Sequence, residues 1–424
     1  VGREGATRRR LWYTAAMTAS SLHQRVLVTV SGPDAPGITA SLTGIVADGG
    51  ATLLDIQQVV LSGQLTLCLV VQVAAGKSGP GSAVLKDLLF AARELGLELD
   101  FKVLGELTSP SPSSSSARAS YTVTVIGDEV DAACVHALTR CLAHQQANID
   151  AIERLSEGDL SSLQIVISFD DDETKAHALR QALMAIARER GVDLALQVED
   201  LARRTKRLVV FDMDSTLISI EVIDELARLH GVYDEVAAIT ARAMAGGMPY
   251  EESLQLRVAK LAGLPVAKVL QLTADLPLSE GAEDLLRVLK GLGFKTAVIS
   301  GGFSFAAEAL RLRLGLDYAY SNTLEVKDGR LTGRVVEPIV GPQRKADLLD
   351  AVAQREGIPL AQTIAVGDGA NDLLMLERAG LGIAFHAKPK LVAAADTSVS
   401  KGGLDRMLYL LGLRARDVRA FLGR

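Results

Sequence analysis

From residue 206 onward the chain alternates short, mainly apolar runs with amphipathic stretches, and this restricts the fold more than any other feature. The runs at 208–211, 296–300, 363–367 and 381–385 lack the apolar–polar alternation of a half-exposed strand. Such runs suit strands buried on both faces. Helical patterns at 280–291, 303–314, 344–356 and 373–379 separate them. Together they predict an α/β domain over 206–424, a doubly wound parallel sheet with helices on both faces. After the first strand, 219–230, 234–245 and 250–262 read as helices. That insertion is too long for an ordinary strand-to-helix connection, so a helical cap over about 219–278 is predicted above the strand ends.

Polar residues cluster at the C-terminal ends of these strands, where open α/β sheets bind ligands. Asp212 and Asp214 follow the run Leu208-Val209-Val210-Phe211 and precede Ser215-Thr216. Two such carboxylates can hold a divalent cation and divide the labour of nucleophile and proton carrier. A simple strand-ending turn is the plainer alternative. Ser300 with Gly301 and Gly302 can offer a hydroxyl and backbone N–H groups to a phosphoryl oxygen, although a turn again explains them. Lys345 stands near a helix start, against the helix dipole, with Arg344 beside it as an equal candidate. Gly367-Asp368-Gly369-Ala370-Asn371-Asp372 combines a sharp turn with hard oxygen ligands suited to Mg²⁺.

Ahead of this domain, a Ser/Pro linker at 108–119 contains Ser109-Pro110-Ser111-Pro112 and no core-forming residue. It separates two segments, 23–107 and 120–200, that repeat one order of elements. In the first, strands at 25–31, 53–60, 65–72 and 98–104 alternate with helices at 38–48 and 81–95. In the second, strands at 121–126, 148–155, 163–168 and 193–198 alternate with helices at 130–145 and 175–190. Each is a ferredoxin-like βαββαβ unit. Residues 1–22 are expected to be a disordered extension, because their apolar content is too weak for a signal peptide.

Of the 424 residues, 48% are hydrophobic and 23% charged, enough for several packed cores. A formal net charge of −6 and 4% aromatic content give no reason to expect a nucleic acid or an anionic membrane as partner. The 3 cysteines show no metal spacing and point to buried thiols in a reducing cytoplasm.

Taken in order, Asp212-x-Asp214, Ser300, Lys345 and the Gly367–Asp372 hexapeptide resemble the haloacid dehalogenase superfamily, and with the cap sequence the phosphoserine phosphatases. The resemblance covers about residues 206–412. It implies hydrolysis of O-phospho-L-serine to L-serine and phosphate, the last step of serine biosynthesis. Asp212 would be the nucleophile and Asp214 the acid and base. Mg²⁺ would be held by Asp212, Asp368 and the Asp214 carbonyl. Ser300, Gly301, Lys345 and Asn371 would contact the phosphoryl group, and Asp372 would orient Lys345 or a metal-bound water. Glu221 would bind the substrate ammonium, Arg257 its carboxylate, and Met244 and Tyr250 would be apolar cap contacts. Tyr250 departs from the Phe frequent in the family. The two N-terminal segments resemble ACT domains, clearest in Gly32-Pro33-Asp34-Ala35-Pro36-Gly37-Ile38. That resemblance implies a homodimer through the ACT-like pair and an effector such as L-serine near Asp34, Gly37 and Ile38. The pairing with the phosphatase domain resembles that of the long mycobacterial type. A phosphatase for phosphoproteins or other small phosphate esters is an alternative. An amino-acid-sensing regulator with a vestigial catalytic domain is another, disfavoured because no catalytic motif is degraded.

Overall fold

The computed structural model describes residues 23–74, 80–104, 118–157, 161–170, 173–244 and 246–424. The expected extension at 1–22 and nearly all of the expected linker lie outside the described residues. The chain divides into two compact units, 1–115 and 116–424.

The first unit contains β1 (His23–Pro33), α1 (Ile38–Asp48), β2 (Thr52–Leu61), β3 (Gln64–Ala74), α2 (Pro80–Glu94) and β4 (Glu98–Leu104). Its four strands form an antiparallel sheet in the order β2-β3-β1-β4. Alternate residues of β1 and β3, among them Val26, Val28, Leu67 and Leu69, are buried with Ile38 and Leu42 of α1. Gly37 caps α1 in the left-handed region at φ 98°.

The second unit opens with the same order: β5 (Arg118–Ile126), α3 (Ala132–His144), β6 (Asn148–Arg154), β7 (Ser162–Asp170), α4 (Glu173–Arg190) and β8 (Asp193–Val198). The sheet order β6-β7-β5-β8 repeats that of the first unit. After the short α5 (Leu201–Arg204), β9 (Leu208–Phe211) enters the middle of a seven-stranded sheet. All four of its residues are buried. Val209 and Phe211 join one core while Leu208 and Val210 join the other, which explains the unbroken apolar run.

The cap follows as α6 (Val222–His230), α7 (Tyr233–Met244), α8 (Tyr250–Ala259) and α9 (Val266–Thr273). Its two ends are tied together, Ser219 N–H to the Pro277 carbonyl at 3.0 Å and Ser279 N–H to the Leu217 carbonyl at 2.9 Å. The core continues as α10 (Ala282–Gly291), β10 (Lys295–Phe303), α11 (Ser304–Leu314), β11 (Tyr318–Lys327), β12 (Arg330–Val336), α12 (Pro342–Arg355), β13 (Thr363–Gly367), α13 (Leu373–Arg378), β14 (Gly382–Phe385), α14 (Pro389–Ala394) and β15 (Thr397–Val399). The short α15 (Met407–Leu410) and α16 (Ala415–Leu422) end the chain. The sheet order is β12-β11-β10-β9-β13-β14-β15, parallel except for the β11–β12 hairpin. This is the expected α/β class. The hairpin, α9 and β15 are additions to the expectation. The hairpin turns at Asp328 and Gly329, both at positive φ, an Asp-Gly pair that favours a tight type I′ turn.

Within this second unit, β8 lies against β15. The Asp193 carboxylate accepts from the Ser398 hydroxyl at 2.6 Å and the Ser400 N–H at 2.8 Å, and the Thr397 hydroxyl donates to the Leu194 carbonyl at 3.2 Å. Ile126 and Ala195 are buried in the same core as Phe211 and Leu408. The second βαββαβ sheet is therefore packed as a wall of the catalytic domain.

Candidate active site

The C-terminal ends of β9, β10 and β13 converge below the cap. Asp212, Asp214, Glu221, Met244, Tyr250, Arg257, Ser300, Gly301, Asp368 and Asn371, all singled out in the sequence, line one cavity of about 670 Å³. Lys345 and Asp372 lie beneath its floor, fully buried.

Asp212 directly follows β9 and is 4% exposed. Its Oδ1 accepts from the Met213 N–H at 2.7 Å and from Lys345 Nζ at 2.8 Å. Lys345 also donates to Asp372 Oδ1 at 2.7 Å, while Asp372 Oδ2 accepts from the Gly369 N–H at 3.1 Å. Burial opposes the Lys345 charge, but Asp212 and Asp372 outweigh it and its pKa is raised. Of the two basic candidates, Lys345 thus faces inward. Arg344 is exposed and lines a different cavity.

Asp214 points the other way. Its Oδ1 accepts from the Val222 N–H at 3.0 Å, at the start of α6. Enclosure pushes its pKa well above the ordinary carboxyl value, Glu221 adds to the rise, and the Val222 hydrogen bond opposes it. A Cβ on Gly302 would come within 2.5 Å of Asp214 Oδ2, so only glycine lets β10 approach this closely.

Ser300 accepts the Gly302 N–H at 2.8 Å on Oγ, which leaves its hydroxyl proton for another acceptor. The Gly301 carbonyl is already engaged. It accepts from Asn322 Nδ2 at 2.8 Å and from Tyr250 Oη at 3.3 Å. Tyr250 thereby ties α8 of the cap to the end of β10, and burial lifts its pKa to about 12.

Asp212, Asp368 and Asp372 each bring an oxygen within 4.8 Å of the others. Burial first, then Asp212, raises the pKa of Asp368 to about 8 and that of Asp372 to about 7. Hard oxygen donors in mutual repulsion form a set that a small divalent cation would satisfy. This triad includes the Asp372 side chain beside the two carboxylates expected from sequence.

On the cap side, Glu221 occupies the N-cap of α6 but makes no capping bond. Its Oε1 accepts from the Ser215 hydroxyl at 2.7 Å instead. Burial raises the Glu221 pKa although Ser215 opposes the rise. Arg257 on α8 is half-buried and its Nε donates to the Ser253 carbonyl at 3.3 Å. Met244 lines the cavity at its mouth and is 66% exposed.

Three contributors escaped the sequence reading. Ser215, held at φ 56°, anchors Glu221; its signal was the turn after Asp214. Asn322 bridges the Gly301 carbonyl and the Val340 N–H, and nothing in its strand context announces it. Lys388 lines the cavity and its N–H donates to the Asp368 carbonyl at 3.3 Å. Asp34, Gly37 and Ile38 lie in the first unit. Asp34 N–H bonds the Gly63 carbonyl at 2.9 Å, and the Ile38 side chain is in the core.

A seven-stranded, mainly parallel sheet, a helical cap and an Asp-Lys-Asp centre define a haloacid dehalogenase-like hydrolase, and the model of that family matches residues 206–380. ACT-domain models match residues 24–102 and 119–197. The chain is 42% identical over 395 residues to phosphoserine phosphatase SerB2 of Mycobacterium tuberculosis, covering 93% of this chain and 95% of that protein. It is 42% identical over 396 residues to a phosphoserine phosphatase of Streptomyces coelicolor, covering 93% and 94%. Among solved structures, a haloacid dehalogenase family hydrolase of Salmonella enterica serovar Typhi aligns with a TM-score of 0.60 at 31% identity, covering 69% of this chain and 98% of that one. A probable phosphoserine phosphatase of Vibrio cholerae aligns at 0.53 and 37% identity, covering 72% and 88%. The chain belongs to the phosphoserine phosphatase family.

Proposed function

We propose that this enzyme hydrolyses O-phospho-L-serine through an aspartyl phosphate on Asp212, as the final step of serine formation. The observation that carries the substrate is the placement of Glu221 and Arg257 in the same cavity as Asp212, Asp214 and Ser300. A carboxylate and a guanidinium on the cap side suit the ammonium and carboxylate of a phosphoamino acid.

Asp212 Oδ1 is engaged by Lys345 and Met213, leaving Oδ2 to attack phosphorus. The P–O bond to serine breaks as the P–O bond to Asp212 forms, and Asp214 passes its proton to the departing serine oxygen. Asp214, now a carboxylate, takes a proton from water. That water attacks phosphorus, releasing phosphate and restoring Asp212. Ser300, Asn371 and Lys345 stabilise the charge that builds on the phosphoryl oxygens, and Asp372 keeps Lys345 in place. Asp212 and Asp368, with the Asp214 carbonyl, would hold Mg²⁺, which supplies charge neutralisation at the phosphoryl group. Met244 and Tyr250 exclude water from the cap side.

The ACT pair forms a homodimer and binds L-serine as an effector in this reading. In support, every residue of β2 in the first unit is exposed, including Ile56, Val59 and Leu61, an unusual apolar edge for a free surface. Three free cysteines agree with a cytoplasmic setting. No helix among the described residues is long and apolar enough to cross a membrane.

The test is phosphate release from O-phospho-L-serine and from p-nitrophenyl phosphate, with Mg²⁺, by wild type, Glu221→Gln and Arg257→Ala. Phosphoserine turnover should collapse in both variants while the nitrophenyl ester is spared. Equal losses on both substrates would remove phosphoserine recognition from these residues.

A further inference from the structure

Helix α8 turns one stripe toward the cavity: Tyr250, Ser253, Leu254 and Arg257 all line it, at the spacing that shares one helix face. The Tyr250 hydroxyl and Arg257 Nε each have a partner, the carbonyls of Gly301 and Ser253. Ser253 is the exception. It is 1% exposed, and its hydroxyl has no hydrogen-bond partner. A serine inside a helix ordinarily bonds back to the carbonyl four residues earlier. Here the Pro249 carbonyl takes only the Ser253 N–H, at 3.1 Å. A buried hydroxyl left unpaired is destabilising, so its retention on a cavity wall calls for a partner that arrives with the ligand.

Arg257 says where that partner sits. Its Nε reaches back one turn to the Ser253 carbonyl at 3.3 Å, which folds the guanidinium toward Ser253. A carboxylate gripped by the terminal nitrogens of Arg257 is then brought beside the same turn of helix. We propose that Ser253 is a specificity-determining residue whose hydroxyl donates to the substrate α-carboxylate alongside Arg257. This rests on the phosphoserine reading above and adds to it. Arg257 supplies the charge, and Ser253 adds a short neutral donor that rewards a carboxylate and does nothing for a ligand lacking one.

The experiment compares Ser253→Ala with wild type on O-phospho-L-serine and on O-phosphoethanolamine, which lacks only the carboxylate. KM for phosphoserine should rise roughly tenfold, as for loss of a hydrogen bond to a charged group. The kcat on phosphoserine and kcat/KM on phosphoethanolamine should stay within about twofold. The unliganded variant should melt no lower than wild type, because an orphan hydroxyl is removed from a helix and alanine is the best helix former. An unchanged KM for phosphoserine would overturn the proposal, and so would equal losses on both substrates. Wild type that fails to prefer phosphoserine over phosphoethanolamine would overturn the parent reading instead.

Discussion

Lys345 holds its ammonium 2.8 Å from Asp212 Oδ1, and both side chains are buried. Three elements meet in that contact, because Asp372 closes on the same ammonium at 2.7 Å from beyond β13. Two carboxylates share one cation below the floor of the cavity, so neither can lose it cheaply. Lys345→Ala leaves both facing each other in a buried site. It should cost roughly 3–5 kcal/mol of stability and at least about 10²-fold in turnover. Asp212→Asn should abolish turnover while keeping the fold. Thermal unfolding beside phosphate release separates the two effects; a Lys345→Ala protein that melts with wild type would contradict the shared-cation account.

Much of this centre was legible beforehand. Asp212, Asp214, Ser300 and Asp368 announce themselves because each ends an apolar strand, and the sheet topology brings such ends together. Lys345 could not be told from Arg344 on residue type alone. What separates them is a helix phase of one residue, which buries one and exposes the other. The β11–β12 hairpin went unread although Asp328-Gly329 marks it, since its strands are polar on one side and lack the apolar runs of their neighbours. Ser253 carries no signal, because an unpaired hydroxyl is a property of packing and not of spacing.

Asp214 is expected to act first as an acid, and the enclosure that raises its pKa favours the protonated form this role needs. The demand for that proton depends on the leaving group: a serine alkoxide needs it, a nitrophenolate does not. Asp214→Asn should therefore lower phosphoserine turnover by roughly 10²–10⁴-fold. Formation of the aspartyl phosphate from p-nitrophenyl phosphate should be far less affected, read as a burst of nitrophenolate before slow hydrolysis. Absence of a burst would assign the proton to another group.

The acidic triad makes stability depend on pH in a direction that can be stated. Asp368 and Asp372, raised to about 8 and about 7 from 3.8, bind more protons folded than unfolded. Their contribution is fully present below the unfolded value and is lost as pH rises through the folded values. Metal-free protein should therefore lose melting temperature from weakly acidic pH up to about 8. Mg²⁺ should reverse the loss and release protons on binding, with affinity rising across the same window. Melting curves in EDTA and in Mg²⁺ across that range, with proton release measured in weak buffer, check both. A metal-free melting temperature that climbs with pH would contradict the sign.

Tyr250 links the cap to the core through its hydroxyl, 3.3 Å from the Gly301 carbonyl. Asn322 holds that carbonyl as well, so Tyr250→Phe strands no buried acceptor. The cost should be near the net value of one hydrogen bond, about 1 kcal/mol. It should appear as a cap that opens more often, with kcat/KM for phosphoserine falling up to about fivefold. Amide exchange in α8 should quicken in step while exchange in β9 stays as in wild type. Unchanged exchange in α8 would show that the hydroxyl does not hold the cap.

Gly37 offers a test of regulation that leaves the catalytic centre untouched. It caps α1 at φ 98°, and a Cβ there would meet nothing within 4 Å. The penalty for a branched side chain is therefore conformational, roughly 1–2 kcal/mol from the left-handed backbone alone. It would be relieved by reshaping the Asp34–Gly37 turn, which is pinned to the β2–β3 hairpin through Asp34 N–H and the Gly63 carbonyl at 2.9 Å. If L-serine acts as effector at this turn, Gly37→Val should abolish or sharply weaken its inhibition while basal turnover stays near wild type. Titrating L-serine against both proteins at fixed phosphoserine gives the answer. Competition by serine at the active site would survive the substitution, so inhibition curves that coincide would remove the Asp34–Ile38 turn from the regulation.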